Sequence, residues 1–299
     1  MKTAWDHRAR SFARRYLPPP VSALGKRTGV HLRYRQQLRA GRTGFEQYGD
    51  TYPHPVVFIA GLPKSGTTWL KRMVAGYPGF HEVMIPDVAS YELAAGGSHD
   101  YELPDDVFFR LQDALVVMKM HVHGSPHNAG LLARHEVPYV VLYRDLRDVA
   151  ISYYFYVTQT PWHPDFPLYR GLELADGLRM FADRTLSAYV RWIESWRSNA
   201  DPRLSLMLRY EDLLADTCAS FRRVADHFGF DSSAAATDPI IETNSFAALT
   251  GGRRPGEEDP RSFLRKGVSG EWRRRFPDDV REHYESIIGD YMVHLGYEE

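Results

Sequence analysis

The sequence predicts a three-layer α/β fold with a central, mainly parallel sheet, and three observations point to it. Short apolar runs recur at residues 56–60, 115–120, 139–143 and 204–208, each of strand length rather than helix length. Longer amphipathic stretches separate them, so strands and helices alternate, which is the order of a sheet built from crossover units. The run Tyr139-Val140-Val141-Leu142-Tyr143 is apolar throughout, as expected of a strand covered on both faces.

Taken in order, residues 1–50 read as a basic N-terminal arm and 51–299 as one domain. Residues 1–42 carry eleven Lys or Arg against one acid, Asp6, with Trp5, Phe12, Tyr16 and Leu17 interleaved before Pro18-Pro19-Pro20. Such an arm either wraps the domain in solvent or rests on an anionic membrane surface, and charge alone leaves both open. The strand at 56–60 runs into a glycine-bracketed turn and a helix at 67–76. A short helix is expected at 126–134. Asp145 is placed to cap a helix reaching about residue 157. Residues 159–171, rich in proline and aromatics, read as a loop and lid. Residues 174–198 form a long helix, with Leu178, Phe181, Leu186, Tyr189, Ile193 and Trp196 at helical spacing. Helices follow near 211–215 and 218–228, then a Gly- and Pro-containing mobile loop at 250–265 and a last helix at 278–295.

Bulk composition excludes several classes. A chain of 299 residues, 43% hydrophobic and 25% charged, is an ordinary globular domain. The formal net charge of −1 offers no global field for nucleic acid. A single cysteine, Cys218, fits a reducing, cytoplasmic setting. No apolar run reaches the length of about 20 residues that spans a bilayer, and no signal-peptide core opens the chain.

Chemistry collects in three places. The first is Gly61-Leu62-Pro63-Lys64-Ser65-Gly66-Thr67-Thr68-Trp69, a turn whose backbone N–H groups, with the helix N-terminus behind them, suit phosphate oxygens. The fold is therefore P-loop-like. Its spacing opens like a Walker A loop, yet Thr67 stands where that motif needs lysine, and the only lysine, Lys64, precedes the second glycine. A small-molecule kinase is accordingly disfavoured as the alternative reading. The second is Arg144 through Ser152, where a guanidinium and a hydroxyl can share one phosphate. The third is Arg265-Lys266-Gly267-Val268-Ser269-Gly270-Glu271-Trp272, two cations among glycines that permit close backbone approach. Three anion sites fit a nucleotide phosphorylated on both its 5′ and 3′ sides.

On these motifs the chain resembles the sulfotransferases that use 3′-phosphoadenosine 5′-phosphosulfate (PAPS), the soluble cytosolic type above all, across about residues 55–295. The resemblance implies an enzyme that moves the sulfonate of PAPS to an acceptor hydroxyl, or less readily an amine, and releases adenosine 3′,5′-bisphosphate (PAP) without a metal. It implies that Lys64 meets the oxygen bridging phosphate and sulfonate, and that Ser65, Gly66, Thr67 and Thr68 hold the 5′-phosphate. Trp69 and Phe246, the latter in Asn244-Ser245-Phe246 where the family often has threonine first, would sandwich adenine. Ser245 lies beside them, and Tyr210 would touch the base. Arg144, Ser152, Arg265, Lys266 and Gly267 would bind the 3′-phosphate.

The family's Lys-x-His pattern is met by Lys119-Met120-His121. His121 would act as general base, an ordinary imidazole being largely neutral at pH 7, and Lys119 would stabilise sulfonate oxygens. The chain holds 13 histidines; His123, where the family commonly has proline, is the weaker choice, and Glu82 or Glu92 is the carboxylate fallback. A module that binds nucleotide without catalysis is the other alternative, but binding alone needs no base. Tyr91, Tyr101, Phe108, Phe155, Trp162, Phe166 and Tyr169 suggest a partly apolar acceptor, a phenol or a lipid alcohol. The chain passes from Phe276-Pro277 straight to Asp278, without the family's usual dimer segment, so no oligomer is inferred.

Overall fold

The computed structural model describes residues 19–94 and 99–297. Five strands, β1 (Val56–Gly61), β2 (His81–Val83), β3 (Val116–Met120), β4 (Tyr139–Tyr143) and β5 (Ser205–Arg209), form one sheet. The order is β2-β3-β1-β4-β5 and every pairing is parallel.

The helices are α1 (Pro19–Tyr48), α2 (Thr67–Val74), α3 (Pro86–Ala94), α4 (Pro126–Arg134), α5 (Leu146–Thr158), α6 (Phe166–Tyr169), α7 (Leu174–Phe181) and α8 (Ser187–Asn199). After β5 come α9 (Tyr210–Ala215), α10 (Thr217–His227), α11 (Ala234–Thr243), α12 (Phe246–Thr250), α13 (Trp272–Arg275) and α14 (Asp278–His294).

Alternation along each strand makes the three layers. Val56, Phe58 and Ala60 of β1 join Val116, Met118 and Met120 of β3 in one core with residues of α5, α7, α8 and α14. Val57 and Ile59 face the other way, onto Leu70, Met73 and Val74 of α2 and Phe221 and Val224 of α10. Asp145 caps α5 as expected, accepting from Arg147 N at 2.9 Å.

Several elements differ from the sequence expectation, among them helix α6 inside the expected loop 159–171, and three more bear on the site. Strand β2 is only three residues long, two of them polar, too short to leave a periodic signal. The helix expected at 174–198 is interrupted by a π-helical turn, Ala182–Leu186, which rotates α8 so that Tyr189, Trp192, Ile193 and Trp196 are all buried. Within the basic N-terminal segment, residues 19–48 are a single helix. Its far end lies tight on the domain: a Cβ on Gly44 would sit 2.0 Å from the Gly79 carbonyl, and one on Gly41 2.8 Å from Val116. Trp5, Phe12, Tyr16, Leu17 and Pro18 lie outside the described residues. Among the described residues no helix is long and apolar enough to cross a membrane.

Chain direction fixes where ligands can go. The connection after β1 leads to β2 on one side of the sheet and that after β4 to β5 on the other, so a crevice opens at the carboxyl ends of β1 and β4. The register sets Ile59 beside Lys119, Gly61 beside Leu142 and Tyr143 beside Arg209, so the glycine turn and residues 119–121, 144 and 210 emerge along one edge.

Helix α8 holds the exit of β3. Trp192 Nε1 donates to the His121 carbonyl at 2.7 Å, Trp196 Nε1 to the Val122 carbonyl at 3.1 Å, and Asn199 Nδ2 to the Gly124 carbonyl at 2.9 Å. Replacing Trp192 by Phe strands the His121 carbonyl; a loss of about 1–3 kcal/mol in urea denaturation is expected, and an unchanged midpoint would show that the indole is not a brace.

Candidate active site

The turn after β1 is strained toward anion binding. Lys64 takes φ 68°, uncommon for a residue with a Cβ, and Gly66 takes φ 79° as the N-cap of α2. Gly66 has no room for a side chain: a Cβ would lie 2.6 Å from the Tyr210 ring. Thr67, at the Walker lysine position, is 5% exposed and turns its methyl against Gly61. The first N–H groups of α2 have no carbonyl within the helix to meet.

Lys64 stands over two aromatic faces, Nζ lying 4.0 Å from the Tyr156 ring centroid and 4.6 Å from that of Phe263. Burial, then the charges of Arg144, Arg265 and Lys119, lower its pKa to about 7.

Across the crevice, Arg144 donates to the Lys64 carbonyl at 3.4 Å and the Val268 carbonyl at 3.0 Å, and lies over Tyr210, guanidinium carbon to centroid 4.4 Å. Its Nε is buried without a hydrogen-bond partner. Asp148, one turn on and 1% exposed, accepts from Gly270 N at 2.6 Å, Trp272 N at 3.0 Å and Arg144 at 3.3 Å. That carboxylate pins the 265–272 segment to α5.

Within that segment Arg265 pairs with Glu258 and Glu271, and Lys266 Nζ donates to Glu271 at 3.0 Å. Arg275 reaches the same two carboxylates at 2.5 and 2.6 Å. Although burial opposes ionisation, Arg265, Lys266 and Arg275 outweigh it and hold the Glu271 pKa at about 2. Gly267 at φ 66° lets Phe246 lie against its backbone, 2.6 Å from where a Cβ would be.

At the end of β3, Lys119 Nζ lies 2.9 Å from His121 Nε2, and His121 Nδ1 lies 2.5 Å from the Gly61 carbonyl. A carbonyl only accepts, so Nδ1 carries the proton and Nε2 presents its lone pair. Burial foremost, then Lys119 and His99, keep the His121 pKa well below the usual imidazole value.

One cleft of about 560 Å³ brings most of these residues together. Its lining includes Lys64, Gly66, Thr67, Thr68, Trp69, Lys119, His121, Arg144, Ser152, Tyr210, Phe246, Arg265, Lys266 and Gly267. Ser65 and Ser245 are not among them. Ser65 is fully buried under the turn, its hydroxyl without a partner. Ser245 caps α12 by accepting from Ala248 N at 3.2 Å. Trp69 Nε1 donates to the main-chain carbonyl of Asn244 at 2.9 Å, so that contact is indifferent to the side chain there.

Glu82 pairs with Lys71 at 2.6 Å on β2, and the side chain of Glu92 lies outside those described. His123 does not line the cleft; its backbone N–H donates to the His99 carbonyl at 2.8 Å. Of the aromatics expected around the acceptor, only Trp162 lines the large cleft; Phe155 lines a smaller one beside Ser152 and Phe263. Phe108 and Tyr169 are core residues, because their loops fold back onto the sheet. His99, Tyr153, His163 and Tyr189 also line the cleft; the sequence pattern marks Tyr189 only as a helix-core position, and no spacing marks the others. The segment 250–265, read as mobile, is knitted to the cation loop: Gly256 N donates to the Lys266 carbonyl at 2.8 Å, and Arg253 to the Leu264 and Arg265 carbonyls at 2.6 and 2.9 Å.

Comparison with known proteins bears on the family and the fold. A family model described as a sulfotransferase domain matches residues 54–296. A flavonol 3-sulfotransferase of Flaveria bidentis is 26% identical over 291 residues, covering 87% of this chain and 89% of the relative. Among solved structures, mouse sulfotransferase SULT7A1 complexed with PAP superposes with a TM-score of 0.62 at 16% identity, over 83% of this chain and 89% of that one. A retinol dehydratase in complex with androsterone and PAP gives a TM-score of 0.56 at 20% identity, over 84% and 85%.

Removing the Asp148 carboxylate as Ala takes from Arg144 the nearer of its two counter-charges, Glu211 remaining 4.0 Å away, and leaves two backbone donors unmet. The expected cost in denaturant unfolding is about 3–5 kcal/mol; a loss below about 1 kcal/mol would show that the segment is held by something else.

Proposed function

The chain belongs to the sulfotransferase family, and on that premise we propose that it moves the sulfonate of PAPS to an acceptor hydroxyl, with His121 as general base, releasing PAP. The observation that carries the proposal is the arrangement of Lys64, Lys119 and His121 at neighbouring strand ends, inside the cleft that also holds the two cation-bearing loops. A nucleotide-binding module has no use for a neutral imidazole whose lone pair is oriented by a backbone carbonyl on its other nitrogen.

In this reading the turn Lys64–Thr68 takes the 5′ end of the donor, and Arg144, Ser152, Arg265, Lys266 and the Gly267 backbone take the 3′-phosphate. Trp69 and Phe246 enclose adenine beside Tyr210. His121 Nε2 exchanges the Lys119 N–H for the acceptor hydroxyl and takes its proton as oxygen attacks sulfur. Lys119, displaced from the ring, turns to the sulfonate oxygens, and Lys64 neutralises the charge that grows on the departing phosphate oxygen. Alignment and charge stabilisation carry the reaction because the group arrives already activated.

For the acceptor, the named substrates or ligands of similar proteins, a flavonol and androsterone, support a largely apolar small molecule with a hydroxyl. The exposed Trp162, Phe263 and Met84 at the cleft support the same class. A cytoplasmic setting belongs to the same reading, the single Cys218 being an exposed free thiol.

His121→Ala should lower kcat by about 10²–10⁴-fold while PAP affinity, measured by calorimetry, is unchanged; transfer at the wild-type rate would remove His121 as base. The pH dependence has a definite sign. His121, held well below its usual pKa, is neutral throughout neutral pH, whereas free-enzyme Lys64 loses its proton as pH rises through about 7. The kcat/KM for PAPS should therefore fall across that range, and Lys64→Arg, which keeps its charge, should flatten the fall. A wild-type profile that is level from about pH 6 to 8 contradicts the role of Lys64.

A further inference from the structure

His99 is buried where an apolar residue would pack more cheaply. It is 9% exposed, it lines the cleft, and neither ring nitrogen has a hydrogen-bond partner among the described residues. Its ring centroid lies 5.6 Å from that of His121 and 6.1 Å from that of Tyr189. The His123 N–H holds its carbonyl at 2.8 Å, so the residue is tied to the strand exit that carries the base.

Burial, with His123 and Lys119 adding repulsion, pushes its pKa down to about 3. The ring is thus neutral at any working pH, with one N–H donor and one lone pair. Left unmet, each such buried group keeps its full desolvation penalty, which buried polar groups in folded proteins normally avoid. The turn and the two cation loops that take the donor do not use it.

We infer that His99 is an acceptor-specificity residue, hydrogen-bonding a second oxygen function that lies close to the hydroxyl presented to His121. The acceptor class is then a molecule with two neighbouring oxygens, such as a vicinal diol on an aromatic frame, rather than a lone phenol or simple alcohol. A site built to meet a polar group rejects the analogue lacking it far more strongly than an apolar pocket rejects a missing methylene. This inference rests on the sulfonate-transfer reading for the identity of the pocket, and it is tested by binding so that the two can fail separately.

The probes are 2,3-dihydroxynaphthalene and 2-naphthol, titrated calorimetrically into the full chain saturated with PAP. Wild type is expected to bind the diol about tenfold or more tightly than the mono-ol. His99→Phe should erase that preference, while His99→Gln, which restores a donor and an acceptor, should recover part of it. PAP affinity measured in each variant reports that the fold is intact. Equal binding of the two probes by wild type, or a preference that survives in His99→Phe, overturns the inference. Sulfonation is scored in parallel: selective binding without transfer supports His99 and contradicts the proposed reaction, and transfer without selectivity does the reverse.

Discussion

A single buried carboxylate, Asp148, makes the cation-rich face of the sheet one surface instead of three loops. It sits on the first turn of α5 and accepts from the backbone of Gly270 and Trp272 and from Arg144. The segment carrying Arg265 and Lys266 is thereby fixed beside the exit of β4, although more than a hundred residues of chain intervene. Backbone donors at a glycine-rich bend cannot satisfy themselves, and an acid reaching from the neighbouring helix meets them with charge-assisted strength. Glu271 performs the matching task on the outer side, gathering Arg265, Lys266 and Arg275.

The result is stored positive potential. Lys64 is buried against Tyr156 and Phe263, and that burial foremost, then the like charges of Arg144, Arg265 and Lys119, brings its pKa down to about 7. Glu258 and Glu271 offset part of the charge around Arg265, but neither pairs with Lys64. An anion entering the crevice relieves repulsion that the fold itself maintains. At the other end of the cleft the logic reverses: His121 and His99 are kept neutral by burial, the first with its lone pair oriented, the second with both nitrogens unmet. One cleft thus joins a cationic stretch around Lys64, Arg144 and Arg265 to a more aromatic stretch around His121 and His99, with Lys119 at their junction.

Much of this was legible because it is local. The strands at 139–143 and 204–208 are short apolar runs, the Asp145 cap is a nearest-neighbour interaction, and the glycines at 66 and 267 mark close approach that any side chain would block. What escaped is non-local. The π-helical turn at Ala182–Leu186 leaves the helical spacing of apolar residues almost intact, so periodicity cannot announce it. Strand β2 owes its existence to the neighbouring β3 rather than to its own three residues. Phe108 and Tyr169 are aromatic loop residues by sequence yet core residues in space, because exposure depends on where a loop folds back. His99 bears no motif at all; only its distance from His121 and its orphaned nitrogens single it out. Ser245, singled out by its motif, is seen here as the cap of α12, its hydroxyl accepting from Ala248 N and keeping its own O–H donor.

Charge at both ends of a nucleotide is the claim that binds the two cation loops to one ligand. Calorimetric titration of the intact protein with PAP and, separately, with AMP measures it directly. Two further charge-assisted contacts to the 3′-phosphate, at about 1.5–3 kcal/mol each, predict that PAP binds at least about a hundredfold more tightly, and that Arg265→Ala removes about half of that free-energy difference, roughly tenfold in affinity. Equal affinity for the two nucleotides would contradict it.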